Sequence, residues 1–205
     1  MIDQTTESIS LILYKDDIGD FPCTQLPAGY SFVFYREGDA VRWAEIECAV
    51  GQFSSVSEGV ACFEREFLQG YELDPRDHTL FVVDPDGNYV ATASLWSWTI
   101  FGVPCYRAHW LAVTDACAGR GIAQALLARV LALFHERCGQ VRLYLLTSTR
   151  YYPAVHIYQK FGFEVYREAR SPEAALSDEA FAARNERAIA LLEQKLAEFR
   201  AKRQP

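Results

Sequence analysis

The hydrophobic positions of this chain follow two alternating patterns. Short runs rich in aromatic and β-branched residues predict strands, and apolar residues at helical spacing predict helices between them. The predicted strands cover residues 9–14, 30–35, 80–83, 89–98, 106–113, 141–146 and 163–166. Because helices interrupt this series of strands, the pattern predicts a protein of the α/β (α+β) class.

Local signals mark where the first two helices begin. Asp39 stands where it can cap a helix whose apolar positions include Val41 and Trp43. Ser55 and Glu58 have the spacing of a capping box ahead of a second helix. The sequence therefore predicts two helices between the second and third strands.

A glycine-rich turn follows the strand that ends at Val113 and precedes a long predicted helix. It reads Ala118-Gly119-Arg120-Gly121-Ile122-Ala123. The first turn of a helix has backbone N–H groups without intrahelical partners, and the helix dipole is positive there. Such a turn suits a phosphate or pyrophosphate, although glycines before a helix also form tight turns that bind nothing.

A second motif extends this interpretation. Ala154, Tyr158, Lys160, Gly162 and Phe163 lie in the stretch AVHIYQKFGF. With the glycine-rich turn, this stretch resembles the GCN5-related N-acetyltransferase (GNAT) family. The family has Gln/Arg-x-x-Gly-x-Gly/Ala at the turn and Ala-x-x-x-Tyr-x-Lys-x-Gly-Phe later in the chain. The resemblance covers about residues 30–166.

The resemblance implies a fold and a cofactor. The implied fold is a mixed, mostly antiparallel, splayed sheet with helices on both faces, here with an additional C-terminal helix. The expected domain covers residues 1–170, with an accessory segment at 1–27, and a helical extension covers 171–205. The implied co-substrate is acetyl-CoA, whose pyrophosphate and pantetheine arm would bind Val113, Ala118, Gly119, Arg120, Gly121, Ile122 and Ala123.

Three positions depart from the family pattern. Ala118 stands where Gln or Arg is usual, Asp115 where Pro is common, and Tyr151 where Asn is usual. Since backbone amides make most of the expected phosphate contacts, we expect Ala118 to weaken cofactor binding without abolishing it.

Two residues are the candidate catalytic groups. In many members the tyrosine of the later motif, here Tyr158, protonates the leaving thiolate; the alternative is a packed aromatic with a satisfied hydroxyl. His109 is the candidate base, since histidine titrates near neutral pH and strict alternation puts it on the face of Leu111 and Val113. A structural histidine is the alternative, and Arg107 is a candidate to hold an anionic group of the substrate.

Other aromatic and acidic residues are candidates for the acceptor site. Glu45 and Glu47 lie with Trp43 in the first helix, and we interpret both acids as solvated surface carboxylates. Trp96 and Trp98 either line an aromatic pocket or pack in the core, and core packing is the favoured interpretation.

Composition narrows the class of protein. The 205 residues carry a net charge of −7, which argues against nucleic-acid binding. The six cysteines form no Cys-x-x-Cys pair, so no metal site is expected. No run approaches the ~20 apolar residues of a membrane span. The N-terminus lacks the apolar segment of a signal peptide, so a cytoplasmic protein is expected.

The C-terminal region carries one long amphipathic pattern. Ser177 can cap a helix with an apolar stripe that includes Phe181, Leu192 and Leu196. The stripe needs a partner, which is either its own domain or the same helix of a second copy in a homodimer.

These observations predict an acyltransferase. It would transfer an acetyl group from acetyl-CoA to a primary amine of a small molecule or protein, by direct attack in a ternary complex. The alternative is a catalytically weak GNAT-like module that binds or senses acyl-CoA or binds a partner. The sequence leaves the acceptor, O-acetylation and longer acyl donors open.

Overall fold

The computed structural model describes residues 3–69, 73–139, 141–168, 170–172 and 176–202. Its internal contacts divide the chain into two compact units. The first, here called the turn unit, contains Phe21–Ser97 and Ala108–Gly139. The second, here called the C-helix unit, contains Met1–Asp20, Trp98–Arg107 and Gln140–Pro205.

The turn unit contains the glycine-rich turn and the elements around it. Its strands are β2, β3, most of β4 and the end of β5, and β3 pairs antiparallel with both β2 and β4. Its helices are α1, α2 with a π-helical continuation, the short α3, and α4. The bounds are β2 Ser31–Phe34, α1 Ala40–Ala49, α2 Val56–Phe63, the π-helical turn Glu64–Leu68, α3 Pro75–His78, β3 Thr79–Val83, β4 Tyr89–Ile100, β5 Val103–Val113 and α4 Ile122–Cys138.

The C-helix unit is built around the N-terminal strand. Strand β1 pairs antiparallel with β6 and with β7, so it lies between these two strands in the sheet. Phe101 and Gly102, with φ angles of 54° and 74°, form the tip of the β4–β5 hairpin. The other elements are β1 Ser10–Lys15, β6 Leu143–Ser148, α5 Tyr152–Lys160, β7 Glu164–Val165 and α6 Asp178–Ala201.

The strand order defines the fold class. The seven strands follow the order β2-β3-β4-β5-β6-β1-β7. The structure is a mixed sheet with helices on both faces and an additional C-terminal helix, which confirms the predicted fold class.

Helix α6 packs its apolar stripe against its own unit. The Ser177 hydroxyl accepts a hydrogen bond from Ala180 N, as predicted for the cap. Phe181 and Leu196 are each 2% exposed, and the Asn185 side chain donates to the Tyr166 carbonyl oxygen at 2.8 Å. This packing favours the first of the two interpretations of the stripe, and the homodimer stays a prediction.

The start of α1 differs from the expected cap. Asp39 stands at the N-cap position, but its side chain makes no capping bond. Its carboxylate instead accepts a hydrogen bond from Arg36 N at 2.8 Å, which closes the turn before the helix. Val41, expected on the apolar face, is 44% exposed.

Helices α1 and α2 meet at their smallest residues. A Cβ atom on Gly59 would lie 2.7 Å from the Cβ and 3.1 Å from the Cα of Ala44. Any larger side chain at 59 would separate the two helices, which together hold the aromatic core of the turn unit.

We expect Gly59→Ala to lower the free energy of unfolding by about 1–3 kcal/mol. The clash with Ala44 outweighs the better helix propensity of alanine, which is worth about 1 kcal/mol. Urea denaturation measures the effect. In the double variant with Ala44→Gly, part of the loss should be recovered; an alanine at 59 that stabilises the protein would contradict the close contact.

Candidate active site

The glycine-rich turn has the geometry that a phosphate site requires. Gly119 and Gly121 have φ angles of 76° and 81°, which favour glycine. Ala118 N donates to the Asp115 carbonyl oxygen at 3.1 Å, and Ala125 N makes the first bond to Gly121 O at 3.0 Å. Among the described residues, no acceptor is recorded for the N–H groups between these two. The expected cofactor residues Gly119 to Ala123 thus form the turn and the start of α4, and the short helix Asp115–Cys117 separates them from Val113.

Tyr30, which the sequence analysis did not single out for the turn, lies beside it. The Tyr30 hydroxyl accepts a hydrogen bond from Arg120 Nη1 at 2.9 Å. The same hydroxyl lies 4.0 Å from the Cys117 sulfur. A tyrosine from the segment before β2 therefore fixes the one cationic side chain within the turn.

Strand β5 is irregular where the candidate base lies. Trp110 has a φ of 49°, which is rare for a bulky residue. The irregularity interrupts the predicted alternation, because His109 and Trp110 both reach the same carboxylate. Glu66 Oε2 accepts from His109 Nε2 at 2.9 Å and from Trp110 Nε1 at 2.9 Å.

The Glu66–His109 pair is chemically suited to accept a proton. Their side chains are 25% and 15% exposed, so the pair is partly shielded from water. When neutral His109 donates from Nε2 to Glu66, Nδ1 becomes the basic nitrogen. The carboxylate also stabilises the imidazolium that forms after proton transfer.

Glu66 was missed in the sequence analysis. It lies in the π-helical turn after α2, and such turns are frequent at functional sites. The available signal was helical spacing, since Glu66 follows Cys62 and Phe63 by four and three residues and so lies on their apolar face.

Aromatic rings surround the pair within the turn unit. His109 has its ring centroid 5.1 Å from that of Trp110 and 6.1 Å from that of Phe67. Trp110 in turn contacts Trp43 at 5.1 Å and the half-buried Phe53 at 5.7 Å. The surface next to His109 is therefore aromatic.

The two candidate tryptophans of β4 lie in different units. Trp96 is 1% exposed, which confirms its core packing. Trp98 belongs to the C-helix unit, where the Arg107 guanidinium lies 5.4 Å from the centroid of its ring. Arg107 as a substrate-binding residue stays a prediction.

The two acids of α1 behave differently. Glu45 is exposed and pairs with Arg42 at 3.1 Å, as expected for a surface carboxylate. Glu47 is 1% exposed, so the surface interpretation is wrong for this residue. It lies one turn after Trp43 on the helix face that packs on α2, and its Oε1 has no hydrogen-bond partner among the described residues. Burial raises the pKa of Glu47 to about 8.

Tyr158 lies on α5 in the C-helix unit and is 6% exposed. Burial raises the pKa of its hydroxyl above the ordinary value of 10.0, so the phenol, already protonated at neutral pH, is harder to deprotonate. Gly162 of the same motif has a φ of 80°, and its missing Cβ would lie 2.8 Å from Lys15 Nζ. The motif glycine is thus explained by backbone geometry, while the role of Tyr158 stays a prediction.

The described residues contain neither a metal-binding cluster nor a membrane-spanning helix. Within these residues, no group of three or more His, Cys, Asp or Glu side chains lies close enough together to hold a metal ion. Of the helices in the described ranges, none is both long and apolar enough to cross a membrane.

Comparison with known proteins identifies the family. The pattern of the acetyltransferase (GNAT) family matches residues 39–163, which is more than half of the chain. The chain therefore belongs to this family of acyltransferases, which generally use acetyl-CoA. Comparison with curated proteins gives no match.

Solved structures support the fold. A GCN5-related N-acetyltransferase from Sphaerobacter thermophilus is 22% identical with a TM-score of 0.59, and the match covers 78% of this chain and 49% of that one. A GCN5-related glucosamine N-acetyltransferase region of a fungal multi-domain GH3 β-N-acetylglucosaminidase is 14% identical, with a TM-score of 0.55 and coverages of 81% and 20%. A tandem GNAT protein of the clavulanic acid biosynthesis pathway is 13% identical, with a TM-score of 0.54 and coverages of 78% and 50%. This chain spans about half or less of the length of these proteins.

We expect the stability of the protein to fall as pH rises from about 5 to about 8, with Glu47 contributing a slope of about 1.4 kcal/mol per pH unit. The ordinary pKa is 4.5 and the folded-state pKa is about 8, so in this window the folded protein holds a proton that the unfolded chain releases. Urea denaturation across this range measures the slope.

The matched variants are Glu47→Gln and Glu45→Gln. Glutamine at 47 keeps the side-chain volume and removes the titration, so the slope should flatten. Glutamine at 45 should leave the slope unchanged, because that carboxylate is exposed. Equal slopes in both variants would contradict a buried, protonated Glu47.

Proposed function

We propose that the protein transfers an acetyl group from acetyl-CoA to a primary amine. One observation carries this proposal: strand β5 joins the glycine-rich turn to the Glu66–His109 pair. His109 lies four residues before Val113, which is at most roughly 13 Å because β5 is not fully extended at Trp110. A pantetheine arm extended along β5 from the turn would bring the acyl group toward His109.

The reaction is a direct attack in a ternary complex. The neutral amine attacks the thioester carbonyl carbon, a C–N bond forms, and the C–S bond breaks as the thiolate leaves. His109, directly or through a water, takes the proton that the amine loses. The thiolate takes a proton from the Tyr158 hydroxyl, a role that rests on the family motif.

The surroundings of His109 favour an amine acceptor. The rings of Trp110 and Phe53 offer an apolar surface, and removal of an amine from water favours its neutral, nucleophilic form. Glu66 holds the histidine ring and would stabilise the charge that His109 gains. A small-molecule and a protein amine both remain within this proposal.

The second candidate function is a module that binds acyl-CoA with little turnover. The observation that favours it is Ala118, which lacks the side-chain donor usual at the first position of the turn motif. Release of CoA thiol from acetyl-CoA, measured with a panel of small amines and with lysine peptides, separates the two functions. Amine-dependent release supports the enzyme; tight binding without release supports the module.

We expect His109→Ala to lower kcat by about 10²–10⁴-fold, because a positioned base contributes that much. Glu66→Gln should lower kcat less and should shift the acidic limb of the pH–rate profile, since the imidazolium loses its carboxylate partner. The profiles of both variants are measured with the best amine of the panel.

The control for Glu66 is Glu64→Gln, an exposed acid in the same π-helical turn. This variant should keep the wild-type profile. Full activity of His109→Ala with an unshifted pH profile would remove His109 as the base.

We expect Tyr158→Phe to lower kcat and to leave the Kd of acetyl-CoA within about threefold. The buried phenol donates a proton only as the thiolate leaves, so its removal affects the chemical step. Tyr152→Phe, on the same helix, is the matched control. Full turnover by Tyr158→Phe would contradict its role as the acid.

A further inference from the structure

Because Ala118 stands where Gln or Arg is usual, the first position of the turn has no polar or charged side chain to contact the cofactor. Acetyl-CoA is a polyanion, this chain has a net charge of −7, and Asp115 adds a carboxylate just before the turn. Long-range repulsion therefore opposes the approach of the cofactor. Backbone N–H groups bind phosphate oxygens but bring no net positive charge.

Arg120 is the cation closest in sequence to position 118. It lies between the two glycines of positive φ, and its side chain reaches out of the turn to Tyr30. A guanidinium has five N–H donors, and the 2.9 Å bond to the Tyr30 hydroxyl uses one of them. The others suit the paired oxygens of a phosphate.

The position of Tyr30 is itself fixed. Its N–H donates to the Pro27 carbonyl oxygen at 3.1 Å, which closes a turn just before β2. Gly29 in that turn has a φ of 85°, and a Cβ there would lie 2.8 Å from Cγ of Pro85. The turn is therefore packed tightly on the β3–β4 connection. That connection is held by Asp84, which accepts from Asn88 N at 2.8 Å.

We infer that Tyr30 positions Arg120 to bind a phosphate of acetyl-CoA, and that this pair supplies the cation that Ala118 does not. An exposed arginine loses rotamer freedom when it binds a ligand. A hydroxyl that already holds the guanidinium at the turn reduces this cost. Arg120 is the binding residue and Tyr30 acts through it. The inference rests on the proposed function, because it assigns a ligand to the same turn.

Two phosphates of the cofactor share this chemistry, namely the pyrophosphate and the 3′-phosphate. Calorimetric titration with CoA and with 3′-dephospho-CoA distinguishes them. A loss of affinity for both ligands assigns Arg120 to the pyrophosphate, and a loss for CoA alone assigns it to the 3′-phosphate.

The decisive variants are Arg120→Ala, Tyr30→Phe and their combination. Arg120→Ala should weaken CoA binding by about tenfold or more, as expected for a lost charge-assisted contact. Tyr30→Phe should weaken it several-fold, and the double variant should bind no more weakly than Arg120→Ala alone. A merely structural Tyr30 would still weaken binding in the Arg120→Ala background and would lower the thermal midpoint.

A gain-of-function variant tests the replacement directly. Ala118→Arg introduces one of the two usual residues and with it a cation, so it should recover most of the affinity lost in Arg120→Ala. Arg42→Ala, an exposed arginine of α1 in the same unit, is the control and should bind CoA like the wild type.

The outcomes separate the inference from the proposed function. Equal CoA affinity of Arg120→Ala and Arg42→Ala overturns the inference while the proposed function stands. A Tyr30→Phe effect that is fully additive with Arg120→Ala overturns the positioning role. A wild-type protein that binds neither CoA nor acetyl-CoA overturns both.

Discussion

The candidate site depends on the hydrogen bonds that the Glu66 carboxylate accepts from strand β5. It accepts hydrogen bonds from two consecutive residues of β5, His109 and Trp110, which a regular strand would direct to opposite faces. Trp110 accordingly has a positive φ, which costs roughly 1–2 kcal/mol for a non-glycine residue. The double hydrogen bond and the ring contacts of Trp110 hold this strained backbone in place, and the same backbone orients the histidine.

The position of Glu66 in turn depends on the packing of the first two helices. Gly59 lets α2 approach α1 at Ala44, and the π-helical turn that follows carries Glu66 toward β5. The same packing buries the carboxyl group of Glu47, which is unfavourable for stability. Its carboxyl is buried without a recorded partner, and the burial that raises its pKa also lowers the stability of the fold at neutral pH.

The sequence predicted those parts of the protein that depend on neighbouring residues. Strand and helix patterns predicted the α/β class, and the two motifs implied the family fold. The proposed cofactor residues between Val113 and Ala123 lie in one short stretch, so they were singled out together. Glu66 and Tyr30 were missed because they are 43 and 90 positions from His109 and Arg120. No local pattern predicts the irregularity at Trp110 or the burial of Glu47, since both are imposed by tertiary packing.

Calorimetric titration of the protein with acetyl-CoA, against free adenosine as the control ligand, tests the central claim most directly. We propose that the turn binds phosphate groups, so acetyl-CoA should bind at micromolar concentration and adenosine, which has no phosphate, should bind far more weakly. Equal binding of the two ligands, or no binding of acetyl-CoA, would contradict the assignment of the glycine-rich turn as the cofactor site.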